Sequence, residues 1–218
     1  MAEVNSTKVV TGKVRFSFVN VFEARAFGEG QTPKYSVMLL IPKSDVGTIA
    51  RIKKAIDAAA QKGLSTKFGG KLPAVLKTTL KDADKDMDQD GEIFADKWDY
   101  TAGHYIINVS SKIQPQIVDA ARNPIINPVE FYSGCYGRAS INFFAYNNNG
   151  NKGISAGLNN LQKLEDGETG NRRKAVIALM IILWSITVSG FWVWVAAGSI
   201  IPALTSIRKK RCAAASGD

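Results

Sequence analysis

The stretch from Gly134 to Asn147, GCYGRASINFFAYN, alternates between two kinds of residue. Its odd-numbered positions are small or apolar, whereas its even-numbered positions include Tyr136, Arg138, Phe144 and Tyr146. A period of two predicts a β-strand whose odd positions face a core. Aromatic side chains on the opposite face need a covering layer or a ligand that stacks on them, and nucleobases do so for roughly 1–3 kcal/mol each. Either a second layer covers this face, or it binds nucleic acid.

Residues 8–20 repeat this alternation and predict a second two-faced strand. One face is apolar and consists of Val10, Val14, Phe16 and Phe18. The other face carries Lys13, Arg15 and Ser17. Cations beside outward aromatics are the combination with which proteins hold a nucleic-acid backbone and its bases.

The rest of the first 170 residues predicts further short strands and one helix. Apolar or alternating runs indicate strands at 35–41, 104–111, 115–119 and 154–164. A helix is predicted from Ser44 or Asp45 to about Gln61, ended by Gly63, because apolar residues recur there at helical spacing. This arrangement is a mainly β fold with one helix (α+β), and Gly- and Asn-rich turns favour an OB-fold-like small barrel.

Charge is distributed unevenly along the chain. The formal net charge is +9, but residues 82–99 carry eight acids against Lys85 and Lys97. The remainder of residues 1–170 is therefore basic and suits an anionic partner. The acidic loop 82–99 is interpreted either as a flexible solvated insertion or as an anionic flap that competes with DNA.

No catalytic or metal-binding pattern stands out. Asp86, Asp88, Asp90 and Gly91 match the start of a calcium loop, but Lys97 occupies the position of the essential bidentate Glu. The single His104 has no nucleophile pattern near it. We therefore expect a protein that is not an enzyme and needs no metal or cofactor.

Five segments together resemble a known family, namely tailed-phage and prophage single-stranded-DNA-binding proteins. They are TKVVTGKVRFSFVNVFE, PKYSVMLLIPKSD, AGHYIINVSSKIQPQIVD, EFYSGCYGRASINFFAYN and GNKGISAGLNNLQKLEDGE, and they span about residues 7–169. The resemblance implies an OB-type fold and a protein that coats single-stranded DNA during phage replication or recombination. It also implies phage replication or recombination proteins as partners, and self-association along the strand.

The strand faces supply the candidate contacts of such a protein. Tyr136, Arg138, Phe144 and Tyr146 are predicted to stack on bases and bind phosphate. Further cations are predicted to follow the DNA backbone: Lys13, Arg15, Lys34, Lys43, Lys112 and Lys152.

Residues 171–218 differ from the rest of the chain. Residues 175–204 contain no charge and are long enough for a transmembrane helix. Against this, a cytoplasmic DNA-binding domain would force RKKR, residues 208–211, across the membrane, which opposes the positive-inside tendency. The segment is either a genuine anchor or fusion, or an acidic tail read in a shifted frame, since Asp codons read one base late yield Met and Ile.

Two expectations depend on that ending. Two cysteines and the absence of a signal-peptide pattern predict the host-cell cytoplasm, with membrane association only if residues 175–204 are genuine. The alternative function is a membrane-anchored structural or adaptor protein whose sheet face binds another protein.

Overall fold

A computed structural model of the chain describes residues 6–168, apart from residues 27, 29, 74, 75 and 149. Its strands are β1 Lys8–Val10, β2 Val14–Arg25, β3 Lys34–Pro42, β4 Lys77–Thr78, β5 Leu80–Asp82, β6 His104–Ser111, β7 Gln116–Val118, β8 Tyr136–Asn148 and β9 Asn151–Glu165. Its helices are α1 Val46–Thr66, the short α2 Phe94–Lys97 and a 3₁₀ turn at Asp99–Thr101. By its internal contacts the chain divides into two units, and all the described residues belong to the first, which ends at Asn171.

Five strands close into a barrel in the order β2, β3, β6, β9, β8 and back to β2. All of these neighbours are antiparallel except β6 and β9, which run parallel and pair through Ser110 and Gly157. The shorter strands extend it: β1 pairs with β8, β5 with β6, and β4 and β7 with β9. This part of the chain is therefore mainly β with few helices and OB-like, in agreement with the sequence-based expectation.

The barrel is filled by the alternate residues of its strands and closed by α1. Phe16, Leu39, Ile107 and Phe143 are among its fully buried side chains, and Ile52 of α1 packs with them. Asp45 starts the helix, because its Oδ1 accepts a hydrogen bond of 3.0 Å from the Thr48 N–H. Hydrogen bonding with the Thr48 side chain, followed by this bond from the backbone, lowers the pKa of Asp45.

A second apolar layer lies on the outside of β3 and β6. Met38, Leu40 and Ile106 point outward there and are buried beneath Ala83 and Phe94 of the acidic segment. Residues 82–99 are therefore not an entirely solvated insertion, although most of their acids are exposed. We call residues 83–101 the insertion, and it covers the part of the outer face of β3 and β6 that carries Met38, Leu40 and Ile106.

Two element boundaries differ from the sequence prediction. Residues 8–20 do not form one strand, because the chain crosses the start of α1 at Gly12, whose N–H donates to Thr48 Oγ1 over 3.0 Å. A Cβ there would lie 2.3 Å from Asp45 Oδ2. Gly63 does not end α1 but lies inside it, where a Cβ would come within 2.5 Å of Ala145 Cβ.

The face predicted to be apolar in residues 8–20 is only partly buried. Val14 and Phe16 are in the core, whereas Val10 and Phe18 are exposed. Phe18 has a φ of +48°, and the register of β2 against β3 shifts between Ser17 and Asn20. A bulge of this kind turns one side chain to the opposite face, and the two-residue period cannot reveal it.

The predicted apolar helix at 175–204 and the whole of residues 171–218 lie outside the described residues. Among the residues that are described, no helix has the length and apolar character needed to cross a membrane.

Candidate nucleic-acid interface

The alternation predicted for β8 is confirmed. Cys135, Ala139, Ile141 and Phe143 are buried with exposed fractions of 0–1%. The even positions from 136 to 146 are half-buried or exposed, and Phe144 retains 46% of its accessible surface. The outer face of β8 is therefore open enough for contacts with a partner, but its residues fall into two separate groups.

The first group lies where β8 meets β2. Arg15 pairs with Tyr136 across the two strands, and its guanidinium carbon lies 6.0 Å from the Tyr136 ring and 5.2 Å from the Tyr100 ring. Lys13 Nζ lies 5.2 Å from the Tyr136 ring centre. A cation over a ring face is attracted by the ring quadrupole, so positive charge and aromatic surface lie side by side at this point.

A second aromatic pair extends this group along β2. The exposed Phe18 ring meets Trp98 of the insertion edge-on, with centroids 5.2 Å apart. Ser17 of β2 and Tyr100 of the insertion connect this pair to the first group, since their hydroxyl oxygens are 3.2 Å apart. We call the whole set the β2 surface: Lys13, Arg15, Phe18, Trp98, Tyr100 and Tyr136.

Three members of the β2 surface escaped the sequence prediction. The two-residue period places Phe18 on the apolar face with Val14 and Phe16, and the bulge that exposes it cannot be read from the sequence. Trp98 lies near the end of the acidic segment and Tyr100 directly follows it, and no two-residue period marks either residue as part of a strand face. The signal that could have found them is the spacing Trp98-Asp99-Tyr100, two large aromatics in an otherwise polar stretch.

The end of β9 runs beside the β2 surface. Glu165 accepts from Lys13 Nζ at 2.5 Å, and the Glu168 carbonyl accepts from Arg15 at 3.2 Å. Asp166 accepts from Lys163 and Tyr132, which lowers the pKa of its carboxyl. An anion that binds Lys13 therefore competes with the carboxylate of Glu165.

The second group on β8 lies at the other end of the strand. Eight residues separate Tyr136 from Phe144, which corresponds to roughly 27 Å of strand. A Cβ added at Gly153 would lie 2.7 Å from the Tyr146 hydroxyl, and one added at Gly157 would lie 3.5 Å from the Phe144 ring. These two aromatics thus lie over glycines of β9, and the structure does not bring them together with Tyr136. Arg138, near the Tyr136 end, is exposed and pairs with Gln162 in register.

The remaining predicted cations lie away from Tyr136. Lys34 and Lys112 are exposed at the same end of the β3–β6 ladder, where Tyr35 pairs with Ser111, and Lys34 also pairs with Arg25 of β2. Lys152 donates to the Phe68 carbonyl over 3.3 Å. Lys43 lies 2.6 Å from Asp82 and 2.8 Å from Asp84, and these bonds raise its pKa.

The calcium-like loop holds a lysine in place of a metal. Lys97 Nζ lies 2.5 Å from Oδ2 of both Asp88 and Asp90, and 3.8 Å from Glu92. The ammonium group lowers the pKa of Asp88, and the two carboxylates raise the pKa of Lys97. The positively charged twelfth residue, which argued against an EF-hand, thus neutralises part of the loop from within.

A small OB-like barrel with aromatic rings and cations along one outer strand defines a class of protein, the OB-type binders of single-stranded nucleic acid. A sequence model of the ssDNA-binding protein of Enterobacter phage Enc34 and its relatives matches residues 7–177. The chain belongs to this family.

Individual relatives agree with this membership. A protein named p50 of Acyrthosiphon pisum secondary endosymbiont phage 1 is 31% identical over 164 residues, which cover 74% of this chain and 85% of the relative. The solved structure of the bacteriophage Enc34 single-stranded DNA-binding protein in complex with ssDNA is similar at 27% identity and a TM-score of 0.62. That match covers 76% of this chain and 90% of the Enc34 chain.

A more distant solved structure shares the fold alone. The gp2.5 single-stranded DNA-binding protein encoded by bacteriophage T7 matches with a TM-score of 0.51 at 12% identity. The match covers 75% of this chain and 89% of gp2.5.

Proposed function

We propose that this protein is a phage-type single-stranded-DNA-binding protein that coats and protects ssDNA during replication or recombination, without catalysing a reaction. Family membership and the similarity to a protein solved with bound ssDNA support the binding function. The observation that carries the proposed site is the position of Arg15 between the Tyr100 and Tyr136 rings. The activity belongs in the cytoplasm of the host cell, where single-stranded phage DNA is formed.

The insertion explains why the binding surface should lie along β2. OB-folds commonly bind oligonucleotides on the outer face of their second and third strands. The second and third barrel strands here are β3 and β6. The part of their outer face that carries Met38, Leu40 and Ile106 is buried under Phe94 and Ala83, whereas Asn108 on the same face remains exposed. The insertion also contributes two aromatic residues, Trp98 and Tyr100, at the border with β2.

In this arrangement bases stack on rings and phosphates meet cations. Phe18, Trp98, Tyr100 and Tyr136 offer ring faces or edges, and Arg15 and Lys13 offer positive charge beside them. Neither kind of contact distinguishes one base from another, so binding should be largely independent of sequence. Affinity should fall as salt rises, because phosphate contacts release counterions.

The test is a titration of fluorescein-labelled oligothymidine with the full chain, followed by fluorescence anisotropy at several salt concentrations. We expect salt-sensitive binding, and an Arg15→Ala variant that binds several-fold more weakly with a smaller salt slope. Lys77→Ala is the matched control, because Lys77 is an exposed cation of β4 away from the β2 surface.

Two outcomes would contradict different parts of the proposal. If the full chain shows no salt-sensitive binding to oligothymidine, the function itself fails. If the full chain binds but Arg15→Ala and Lys77→Ala behave alike, the function stands and the β2 surface is the wrong site.

A further inference from the structure

The outer face of α1 and the loop after it form a basic surface that the proposed DNA site does not use. Residues 46–71 carry six cations against the single acid Asp57, and all six are exposed. They are Arg51, Lys53, Lys54, Lys62, Lys67 and Lys71. None of the six forms an ion pair within the described part of the chain, whereas Lys13, Lys43, Lys97 and Lys163 all do.

The insertion presents the opposite charge. Lys43 and Lys97 neutralise part of the acidic segment, yet eight acids in residues 82–99 face only two lysines of that segment. Its exposed acids include Asp90 and Glu92, whose side chains retain 72% and 63% of their accessible surface. Asp96 and Asp99 are also exposed, and neither forms an ion pair among the residues described.

The two charged surfaces lie on different parts of the barrel. Helix α1 packs mainly on β8, with β1 and β9 beside it, and turns Ile52 into the inner core. Phe94 of the insertion packs on the outer side of β3 and β6 with Leu40 and Ile106. Lys53 lies at the border of the basic face, because its Nζ is 6.0 Å from the Tyr105 ring, which also lies 5.5 Å from Lys43.

We propose that the basic face of α1 in one copy of this chain binds the acidic insertion of the next copy, in a head-to-tail contact. Such a contact is heterologous, so it can repeat along a strand without closing. Opposite charge on two surfaces of one chain favours this partner, because like-charged surfaces repel and complementary ones steer association. The proposal does not depend on DNA binding.

Single-stranded DNA is the other candidate partner for the basic face of α1. The residue composition of that face argues against DNA. Sites for single strands combine cations with aromatic rings on which bases stack. The exposed positions of residues 46–71 include no aromatic residue, and Phe68 is buried. Apart from Tyr105 of β6, whose ring lies 6.0 Å from Lys53, the basic face therefore offers charge without stacking, which suits an acidic protein surface.

The test is self-association of the full chain, measured by sedimentation equilibrium at low and high salt without DNA. One nonionic detergent is used throughout, because residues 175–204 are uncharged. The variants are Lys54→Glu with Lys62→Glu on α1, and Glu92→Lys with Asp96→Lys on the insertion. The control for the α1 variant is Lys8→Glu with Lys77→Glu, which lowers the net charge by the same amount elsewhere.

We expect each charge-reversed surface to weaken association about fivefold, since exposed ion pairs contribute modestly. Mixing the α1 variant with the insertion variant should leave one wild-type interface, basic helix against acidic insertion, together with one doubly reversed interface. Combining both reversals in one chain should restore association to near the wild-type value, and the control should not change it.

Two results would overturn the proposal. One is a self-association constant that does not change when either surface is reversed, or that stays reduced when both reversals are combined in one chain. The other is an α1 variant that associates normally but loses affinity for an oligothymidine too short for two copies, which would assign the helix to DNA. A failure of DNA binding in all variants would contradict the proposed function but leave this test intact.

Discussion

The two ends of the outer face of β8 carry the same kind of residue and have different surroundings. At one end Tyr136 faces Arg15 and Lys13, and the insertion adds Tyr100 beside them. At the other end Phe144 and Tyr146 face Ser155 and Gly153 of β9. The first end therefore holds cations over aromatic rings. At the second end Lys77 pairs with Gly153 and Lys152 with Asn147, and among the described residues no cation lies over the Phe144 or Tyr146 ring.

This difference shows what decides the role of an outward aromatic residue. Every even position of β8 obeys the same two-residue period, so the strand itself cannot distinguish its ends. The neighbours distinguish them: β2 brings cations to Tyr136, and β9 brings glycines beneath Phe144 and Tyr146. Aromatic side chains over strand glycines cover exposed backbone and stabilise the sheet.

The largest expected effect is a difference in DNA affinity between a variant of the β2 surface and a variant at the far end of β8. Trp98→Ala should lower affinity for oligothymidine by about 5- to 150-fold, the value of one stacked base at roughly 1–3 kcal/mol. Phe144→Ala, which also removes an exposed ring, should change affinity less than about twofold if no base stacks there. Anisotropy titrations of both variants at one salt concentration measure the contrast.

A second variant keeps the Trp98 experiment interpretable. Trp98 also packs near Phe94, with centroids 5.9 Å apart, so its removal can loosen the insertion. Trp98→Phe retains a ring and should recover most of the affinity. Equal losses for Trp98→Phe, Trp98→Ala and Phe144→Ala would erase the distinction between the two ends.

The second prediction compares how strongly a glycine-to-alanine change near each end destabilises the fold. A Cβ at Gly137 would lie 1.9 Å from the Gln162 carbonyl oxygen and 2.7 Å from the Phe16 ring, whereas one at Gly157 has its nearest neighbour at 3.5 Å. Gly137→Ala should lower the free energy of unfolding by about 1–3 kcal/mol, as overpacking does, and Gly157→Ala by less than about 0.5 kcal/mol. Urea unfolding followed by circular dichroism measures both, and similar losses would contradict the packing described.

Local patterns predicted much of the fold, and long-range geometry determined what they missed. The strand β8 and the cap of α1 at Asp45 follow from period and capping chemistry. The bulge that exposes Phe18 follows from the pairing of β2 with β3, and the burial of Phe94 follows from the outward Met38 and Leu40. Of the predicted contacts, Lys13, Arg15 and Tyr136 come together because β2 pairs with β8, a fact that spacing alone does not contain.

The third prediction is that Tyr146 contributes to the stability of the fold and not to DNA binding. Its hydroxyl lies close to Gly153 in the opposite strand, and cross-strand contacts of this kind contribute roughly 0.2–1 kcal/mol. Tyr146→Ala should therefore lower the free energy of unfolding by about that amount and leave DNA affinity unchanged. Tyr136→Ala should do the reverse, with weaker oligothymidine binding. A Tyr146→Ala protein of unchanged stability but lower affinity would return the far end of β8 to the DNA site.

The smallest effect concerns pH and is confined to the Tyr136 end. Asp166 accepts from Lys163 and Tyr132, so its pKa is lower in the folded chain than in the unfolded one. Its stabilising contribution is complete above the unfolded value of about 3.9 and is lost as pH falls through the folded value. Urea unfolding of wild type and Asp166→Asn should therefore differ most at pH 7, and the difference should shrink toward pH 3.

The control for that experiment is Asp57→Asn, because Asp57 is an exposed acid of α1 that forms no ion pair among the residues described. It should leave the pH dependence of unfolding unchanged. If Asp166→Asn instead keeps a constant difference from wild type across this range, the carboxylate charge contributes nothing. The end of β9 would then be fixed beside Lys13 and Arg15 by its uncharged hydrogen bonds, such as the 3.3 Å bond from the Gly167 N–H to the Tyr132 hydroxyl.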